Sequence, residues 1–275
     1  MQPQHLPSLK EQLATHQVRA DKRFGQHFLL DGNITDKIVR QAGKLDGVNV
    51  IEIGPGPGGL TRSLIASNAY SITAIEKDSR LLPLLDELAE HDSRLALLNT
   101  DALSLSLPDN VAAPRAVIAN LPYNVGTAML IHWLKDIAQN ADSYQSLTLM
   151  FQKEVVQRIV APAGSKHYGR LSVLCQWLCE TIHCFDLPAK AFTPPPKVDS
   201  SVVRLTPYKE RQPCRLENLE KVTAAAFGQR RKMIRSSLKP LRPDVQSWCE
   251  ACDILPTARA EVLTLRNFVD LANSL

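Results

Sequence analysis

The sequence predicts an α/β fold: a mostly parallel sheet with helices on both faces, followed by a small all-α unit. Three observations predict it. Short runs of β-branched and aliphatic residues alternate with helix-spaced segments, the mark of parallel strands joined by crossover helices. A glycine-rich turn, Gly54-Pro55-Gly56-Pro57-Gly58-Gly59, directly follows the first strand-like run. Beyond Pro207 the alternation stops and helical spacing alone remains, so residues 19–207 are expected to form the sheet domain and 208–275 a helical domain.

Residues 1–18 are polar, carry Pro3 and Pro7, and are expected to form a flexible tail. They lack the apolar core of a secretory signal, which points to a cytoplasmic protein. Ile34, Ile38 and Val39 mark one face of a first helix, which Gly43 ends. Residues 48–53 form the first strand. Leu60, Leu64 and Ile65 then share a helix face. Residues 71–76 are the second strand, and apolar residues from Leu81 to Leu88 follow on a helix. Residues 95–98 and 116–119 are the third and fourth strands, Met129 to Ile137 is helical, and 147–151 is a fifth strand. Residues 182–185 and 201–205 read as late strands separated by Pro188 and Pro194-Pro195-Pro196. Without a full crossover helix between them, they are expected to pair as a hairpin at the sheet edge. Glu217 to Ala226 is helical. After Phe227-Gly228 a second helix is expected over 229–239, with Ile234 and Leu238 inward and Arg231, Arg235 and Lys239 on a neighbouring face.

Composition excludes several classes. The 275 residues are 44% hydrophobic and 22% charged, ordinary for a globular protein. No apolar run approaches the roughly 20 residues of a membrane span. The six cysteines lie in the C-terminal half, and Cys175 and Cys179 sit among Leu171, Leu174 and Leu178 as core residues. Cys249-x-x-Cys252 has no second ligand pair, so no metal site is expected. Charge is segregated: residues 31–150 carry 9 Lys/Arg against 14 Asp/Glu, whereas 211–240 carry 8 against 2. A basic block beside an acidic core suits a protein that holds a polyanion with one part and acts on it with another. That pattern assigns phosphate contacts to Arg230, Arg231, Lys232 and Arg235.

The glycine turn satisfies G-x-G-x-x-G through Gly54, Gly56 and Gly59, and Glu76 ends the next strand. This is the layout of a Rossmann-like fold, in which glycines let the backbone approach a ligand and a carboxylate accepts from ribose hydroxyls. The motif alone leaves NAD and S-adenosylmethionine both open. Three features favour the methyl donor. Glu52 precedes the turn, where a carboxylate acts on a cationic ligand. Pro55 and Pro57 stiffen the loop. Asp101 follows the third strand, placed to accept from an adenine amine. The fourth strand ends in Asn120-Leu121-Pro122-Tyr123. The Asn120 amide oxygen and the Leu121 carbonyl can accept from an exocyclic amine, Pro122 fixes the turn, and Tyr123 offers a stacking face.

Several longer stretches carry a resemblance. Lys22-Arg23-Phe24-Gly25-Gln26-His27-Phe28-Leu29, Ile51-Glu52-Ile53-Gly54-Pro55-Gly56, Asn120-Leu121-Pro122-Tyr123 and Ala191-Phe192-Thr193-Pro194-Pro195-Pro196-Lys197-Val198-Asp199-Ser200 resemble the rRNA adenine N6,N6-dimethyltransferase family. Gln152-Lys153-Glu154-Val155 and Tyr168-Gly169-Arg170-Leu171-Ser172-Val173 are similar to its small-subunit branch, which makes two adjacent N6,N6-dimethyladenosines in the 3′-terminal hairpin of 16S rRNA. The likeness runs in order from about Arg19 to Leu238. It departs at His27, where the family more often has Asn.

The resemblance implies the class I methyltransferase form of the sheet, with S-adenosylmethionine as donor and S-adenosylhomocysteine as product. The implied donor site comprises His27, Leu29, Gly54, Gly56, Glu76, Asp101 and Asn120. His27 and Leu29 border the methionine part, Glu76 takes the ribose and Asp101 the adenine amine. The acceptor adenine would meet Asn120, Leu121, Pro122 and Tyr123, with Phe192, set before three prolines, as the second stacking face. The implied partner is 16S rRNA in a small ribosomal subunit or its precursor, the expected form is a monomer, and the expected role lies in subunit biogenesis. A 23S rRNA adenine methyltransferase shares the core, and family relatives that act as binding or assembly factors provide a non-catalytic alternative. A dehydrogenase is the remote third reading.

Overall fold

The computed structural model describes residues 8–17, 20–21 and 25–275; Lys22, Arg23 and Phe24 of the first motif lie outside the described residues. The strands are β1 (Phe28–Leu29), β2 (Asn49–Ile53), β3 (Ser71–Glu76), β4 (Leu95–Asn99), β5 (Arg115–Asn120), β6 (Ser146–Gln152), β7 (Cys179–Leu187), β8 (Phe192–Thr193) and β9 (Ser200–Pro207). Seven form one sheet in the order β4-β3-β2-β5-β6-β9-β7, parallel from β4 to β6. β9 runs antiparallel to both its neighbours. The late pair is therefore a hairpin, but its second strand is the inner one and β7 is the edge. Residues 202, 203 and 205 of β9 are fully buried apolar positions, which suits an inner place. β1 and β8 form a separate antiparallel pair, Phe28 opposite Thr193 and Leu29 opposite Phe192.

Successive side chains of a strand point to opposite faces, and two buried clusters divide accordingly. Val50, Ile72, Ala74 and Ile118 face α2 (Gly32–Gln41), α3 (Gly59–Ile65) and α4 (Leu82–His91). Ile51, Val117, Ala119, Leu147 and Leu149 face the other layer: α5 (Leu107–Asn110), α6 (Gly126–Gln139), α7 (Lys153–Ile159) and α8 (Arg170–Leu178). The C-terminal helices α9 (Leu216–Gly228), α10 (Ile234–Ser237), α11 (Val245–Ala251) and α12 (Leu265–Asn273) join that second cluster through Leu219, Val222, Phe268 and Val269. The change of character at 207 is thus a change of composition and not a break in the core. No helix among the described residues is long and apolar enough to cross a membrane.

Two expected segments differ. The tail contains a helix, α1 (Leu9–Thr15), whose N-cap Ser8 and Glu11 bond each other reciprocally. Gln12, 2% exposed, donates to Glu87 at 2.6 Å and accepts from Arg62 at 2.6 Å, and His16 bonds Glu87 at 2.7 Å. The buried face of α1 pairs Leu9 with the polar Gln12, too short an apolar pattern to announce a helix. The expected helix over 229–239 shortens to Ile234–Ser237. The Ile234 and Arg235 amides donate instead to the Ala258 and Pro256 carbonyls, and Met233 bridges Arg259. A loop segment distant in sequence satisfies the backbone that a helix would have satisfied locally, so the basic residues do not share a regular helix face.

Candidate active site

β2 lies between β3 and β5, so the chain leaves it first toward one side of the sheet and later returns on the other. Crossover helices diverge at such a switch point and leave a crevice beyond the carboxyl ends of the strands. A cavity of about 270 Å³ opens there, lined by the glycine turn, Glu76, Asp101, residues 120–125 and residues 25–29. Gly54 and Gly56 hold φ of +64° and +59°, a region that suits glycine, and expose the turn's backbone to the cavity. Gly59 is required for a different reason. A Cβ there would stand 2.3 Å from the Leu29 carbonyl oxygen, so the N-terminal segment lies directly on the turn.

The carboxylates have distinct environments. Glu76 accepts from the Gly56 amide at 3.1 Å and the Asp78 amide at 2.8 Å, which ties β3 to the glycine turn and leaves lone pairs on both oxygens. Burial raises its pKa despite these bonds. Glu52, 1% exposed, accepts from the Thr61 hydroxyl at 2.7 Å, and burial pushes its carboxyl up to about 8. Burial thus favours its protonated form beside the cavity, where the sequence suggested a carboxylate. Asp101 caps the short turn that follows it through the Leu103 amide at 3.0 Å, and Lys77 bonds its other oxygen at 2.8 Å. The Lys77 ammonium holds its carboxyl below the usual range.

The 120–123 loop forms the opposite wall. Asn120 ends β5, and its amide nitrogen donates to the His27 carbonyl at 3.3 Å. With the nitrogen turned to His27, the amide oxygen remains as an acceptor. The Tyr123 hydroxyl bonds the Ser200 hydroxyl at 2.6 Å, and its ring stacks on the His27 ring with centroids 5.5 Å apart. α6 starts close behind, because Gly126 lets the helix approach Leu121 and Phe151; a Cβ there would meet Phe151 at 3.1 Å.

The cavity brings together His27, Leu29, Gly54, Gly56, Glu76, Asp101, Asn120, Leu121, Pro122 and Tyr123. Phe192 is not among them. It is 3% exposed and packs in the cluster beneath α2 and α3, because its pairing with Leu29 turns the ring inward. In this structure it belongs to the core cluster and does not line the cavity. The Arg230 guanidinium bonds Glu261 at 3.1 Å and the Lys166 carbonyl at 2.7 Å, a tether to the loop before α8. Arg231, Lys232 and Arg235 are exposed. Sequence reasoning missed Ser200, Gln26 and Lys77. Gln26 donates to Asp78 at 2.8 Å and anchors the N-terminal segment over the cavity. Two serines ahead of the apolar Val202-Val203 pair were the available signal for Ser200.

Comparison with known proteins agrees with this geometry. The family model for ribosomal RNA adenine dimethylase matches residues 17–275. The chain is 53% identical over 273 residues to the ribosomal RNA small subunit methyltransferase A of Rhizobium etli (strain CIAT 652), with 98% of each chain covered. A dimethyladenosine transferase structure from Plasmodium falciparum has a similar fold, with TM-score 0.74, 24% identity, and 89% of this chain and 96% of that one covered. The structure of the 23S rRNA methyltransferase ErmE is similar at TM-score 0.69 and 25% identity, over 90% and 98% of the two chains. A seven-stranded sheet with a single reversed strand, and a sequence matched almost from end to end, place the chain in the ribosomal RNA adenine dimethylase family.

Proposed function

We propose that the chain transfers methyl groups from S-adenosylmethionine to N6 of two adjacent adenosines near the 3′ end of small-subunit rRNA. The observation that supports this reading is one cavity lined by the glycine turn, Glu76 and Asp101 and also by Asn120-Leu121-Pro122-Tyr123. The residues fit the donor. The glycine turn admits a ligand to its backbone, and Glu76 keeps lone pairs for two ribose hydroxyls. Asp101, ionised beside Lys77, accepts from an adenine amine. His27 and Leu29 close the donor from the N-terminal segment. Bound there, the donor supplies a methyl carbon made electrophilic by a positively charged sulfur.

The remaining work falls to the 120–123 loop. Adenine N6 is a weak nucleophile because its lone pair is spread into the ring. Hydrogen bonds from N6–H to the Asn120 amide oxygen and the Leu121 carbonyl aim that amine and localise its electrons. An amide is no base, and none is required if the proton leaves after transfer, when N6 has become acidic. Acceleration then comes largely from orientation, for which roughly 7–11 kcal/mol is the upper range. The target adenosine has to be unstacked to enter, and Tyr123 offers one ring face to it. Arg231, Lys232 and Arg235 in the 208–275 part would hold the RNA backbone, with the chain acting as a cytoplasmic monomer.

Methyl transfer from labelled donor to small ribosomal subunits that lack the modification tests this reading, with large subunits as control. Label in N6,N6-dimethyladenosine of the small-subunit RNA is expected. Label confined to the large subunit would overturn it in favour of a 23S enzyme.

A further inference from the structure

The His27 side chain is held by contacts on the acceptor side of the cavity. Its Nδ1 is 2.8 Å from the Pro194 carbonyl oxygen. A carbonyl only accepts, so Nδ1 carries the proton and donates. Its ring lies on the Tyr123 ring with an interplanar angle of 28°. Its own carbonyl takes the Asn120 amide nitrogen. One residue thus touches the two side chains that present the acceptor loop, and the third contact fixes its ring. The placement follows from the fold. β1 begins at Phe28, opposite Thr193 of β8, so His27 falls beside Pro194.

The consequence concerns the base that enters the cavity. Tyr123 is held at its hydroxyl by Ser200, and one face of its ring is covered by imidazole. With Phe192 buried in the core, the stacking surface for an incoming base is the other face of Tyr123. A ring backed on one side and pinned at its hydroxyl is already oriented before the base arrives, which spares the ordering otherwise required on binding.

We propose that His27 is a positioning residue for the acceptor adenine: its ring backs Tyr123, and its carbonyl turns the Asn120 amide so that the oxygen faces N6. This rests on the adenine-N6 reading of the cavity. It gives the His27 ring a task on the acceptor side, beside the place of its backbone along the donor side of the same cavity.

The test compares His27→Ala, His27→Phe and His27→Asn with the unaltered protein. Steady-state methylation of small subunits gives kcat and KM for RNA, and calorimetry gives the S-adenosylmethionine Kd. Phe keeps a ring for Tyr123, whereas Asn keeps only a donor for Pro194. His27→Ala is expected to lower kcat/KM for RNA roughly 3- to 10-fold, the scale of an aromatic pair, with donor Kd within about twofold. Phe should restore most of the loss and Asn little of it. Equal losses in donor affinity and RNA turnover would overturn the proposal, as would rescue by Asn but not by Phe, or an unchanged His27→Ala enzyme. If the unaltered protein methylates no adenine, the functional reading falls and takes this proposal with it; if it is active and the variants match it, only the proposal falls.

Discussion

Replacing Glu52 with Gln should make the donor-free protein more stable as pH rises. Glu52 is fully buried, and burial is the largest influence on its carboxyl, raising it from 4.5 to about 8 against the opposing Thr61 hydrogen bond. The unfolded chain releases this proton near 4.5, whereas the folded protein keeps it to about 8. Between those values the folded state binds more protons, so unfolding free energy falls as pH increases, by up to about 1.4 kcal/mol per pH unit. The upper limit across the whole window is on the order of 5 kcal/mol. A glutamine cannot titrate, and its amide oxygen can still accept from Thr61. The stability gap between Glu52→Gln and the unaltered protein should therefore be small near pH 5 and widen steadily to pH 8. Asp78 is common to both proteins and cancels in the difference, whereas Glu76, whose charge also raises the Glu52 carboxyl, is part of the effect being measured. Urea unfolding of both proteins at several pH values, without donor, measures the gap. Parallel profiles from pH 5 to 8.5 would refute the reasoning, because they would mean that Glu52 is already ionised in the fold. A second arm uses the ligand: a cationic donor favours ionised Glu52, so S-adenosylmethionine binding at pH 7 should release a proton. Neutral S-adenosylhomocysteine should release less, and Glu52→Gln should show neither release.

Other perturbations separate the parts of the site. Gly59→Ala places a methyl 2.3 Å from the Leu29 carbonyl and should cost about 1–3 kcal/mol in urea unfolding; an unchanged midpoint would mean that the N-terminal segment does not press on the turn. Tyr123→Ala should lower turnover on RNA by the ~1–3 kcal/mol of a base–aromatic stack while calorimetry finds donor affinity preserved, and an equal loss of donor binding would rule out the stacking role. Replacing Arg231, Lys232 and Arg235 together should flatten the salt dependence of RNA binding by roughly 2 in log–log slope, and an unchanged slope would leave them a solvated face. Arg230→Ala should instead lower stability by about 1–2 kcal/mol with little change in that slope, since its guanidinium is committed to Glu261 and Lys166.

Much of the sheet was legible because buried parallel strands read as continuous apolar runs bounded by turn residues. The expected strand over 71–76 coincides with β3, and the glycine turn, Glu76 and Asp101 fall where the βα rhythm puts them. Where the sequence misled, the deciding contact was distant. Phe192 looked like a stacking face because prolines follow it, but pairing with Leu29, far earlier in the chain, sends it inward. The helix expected over 229–239 had the right spacing and lost to a partner at 256–259. α1 buries only Leu9 and the polar Gln12, too little apolar surface to read as a helix face.

That division follows the two halves of the site. The donor half is built by consecutive βα units, β2 to β4, whose turns are close in sequence and whose geometry the sheet enforces. The acceptor half is assembled from four distant pieces, His27, residues 120–123, Pro194 and Ser200, joined by single side-chain contacts. Local sequence therefore announces the first and conceals how the second is held. The same asymmetry has a chemical consequence. Changing one contact at His27, Tyr123 or Ser200 alters how an acceptor is presented while the glycine turn, Glu76 and Asp101 stay in place. A sheet of this kind can hold one donor and serve different RNA targets, which is consistent with a 23S rRNA methyltransferase sharing the fold at only 25% identity.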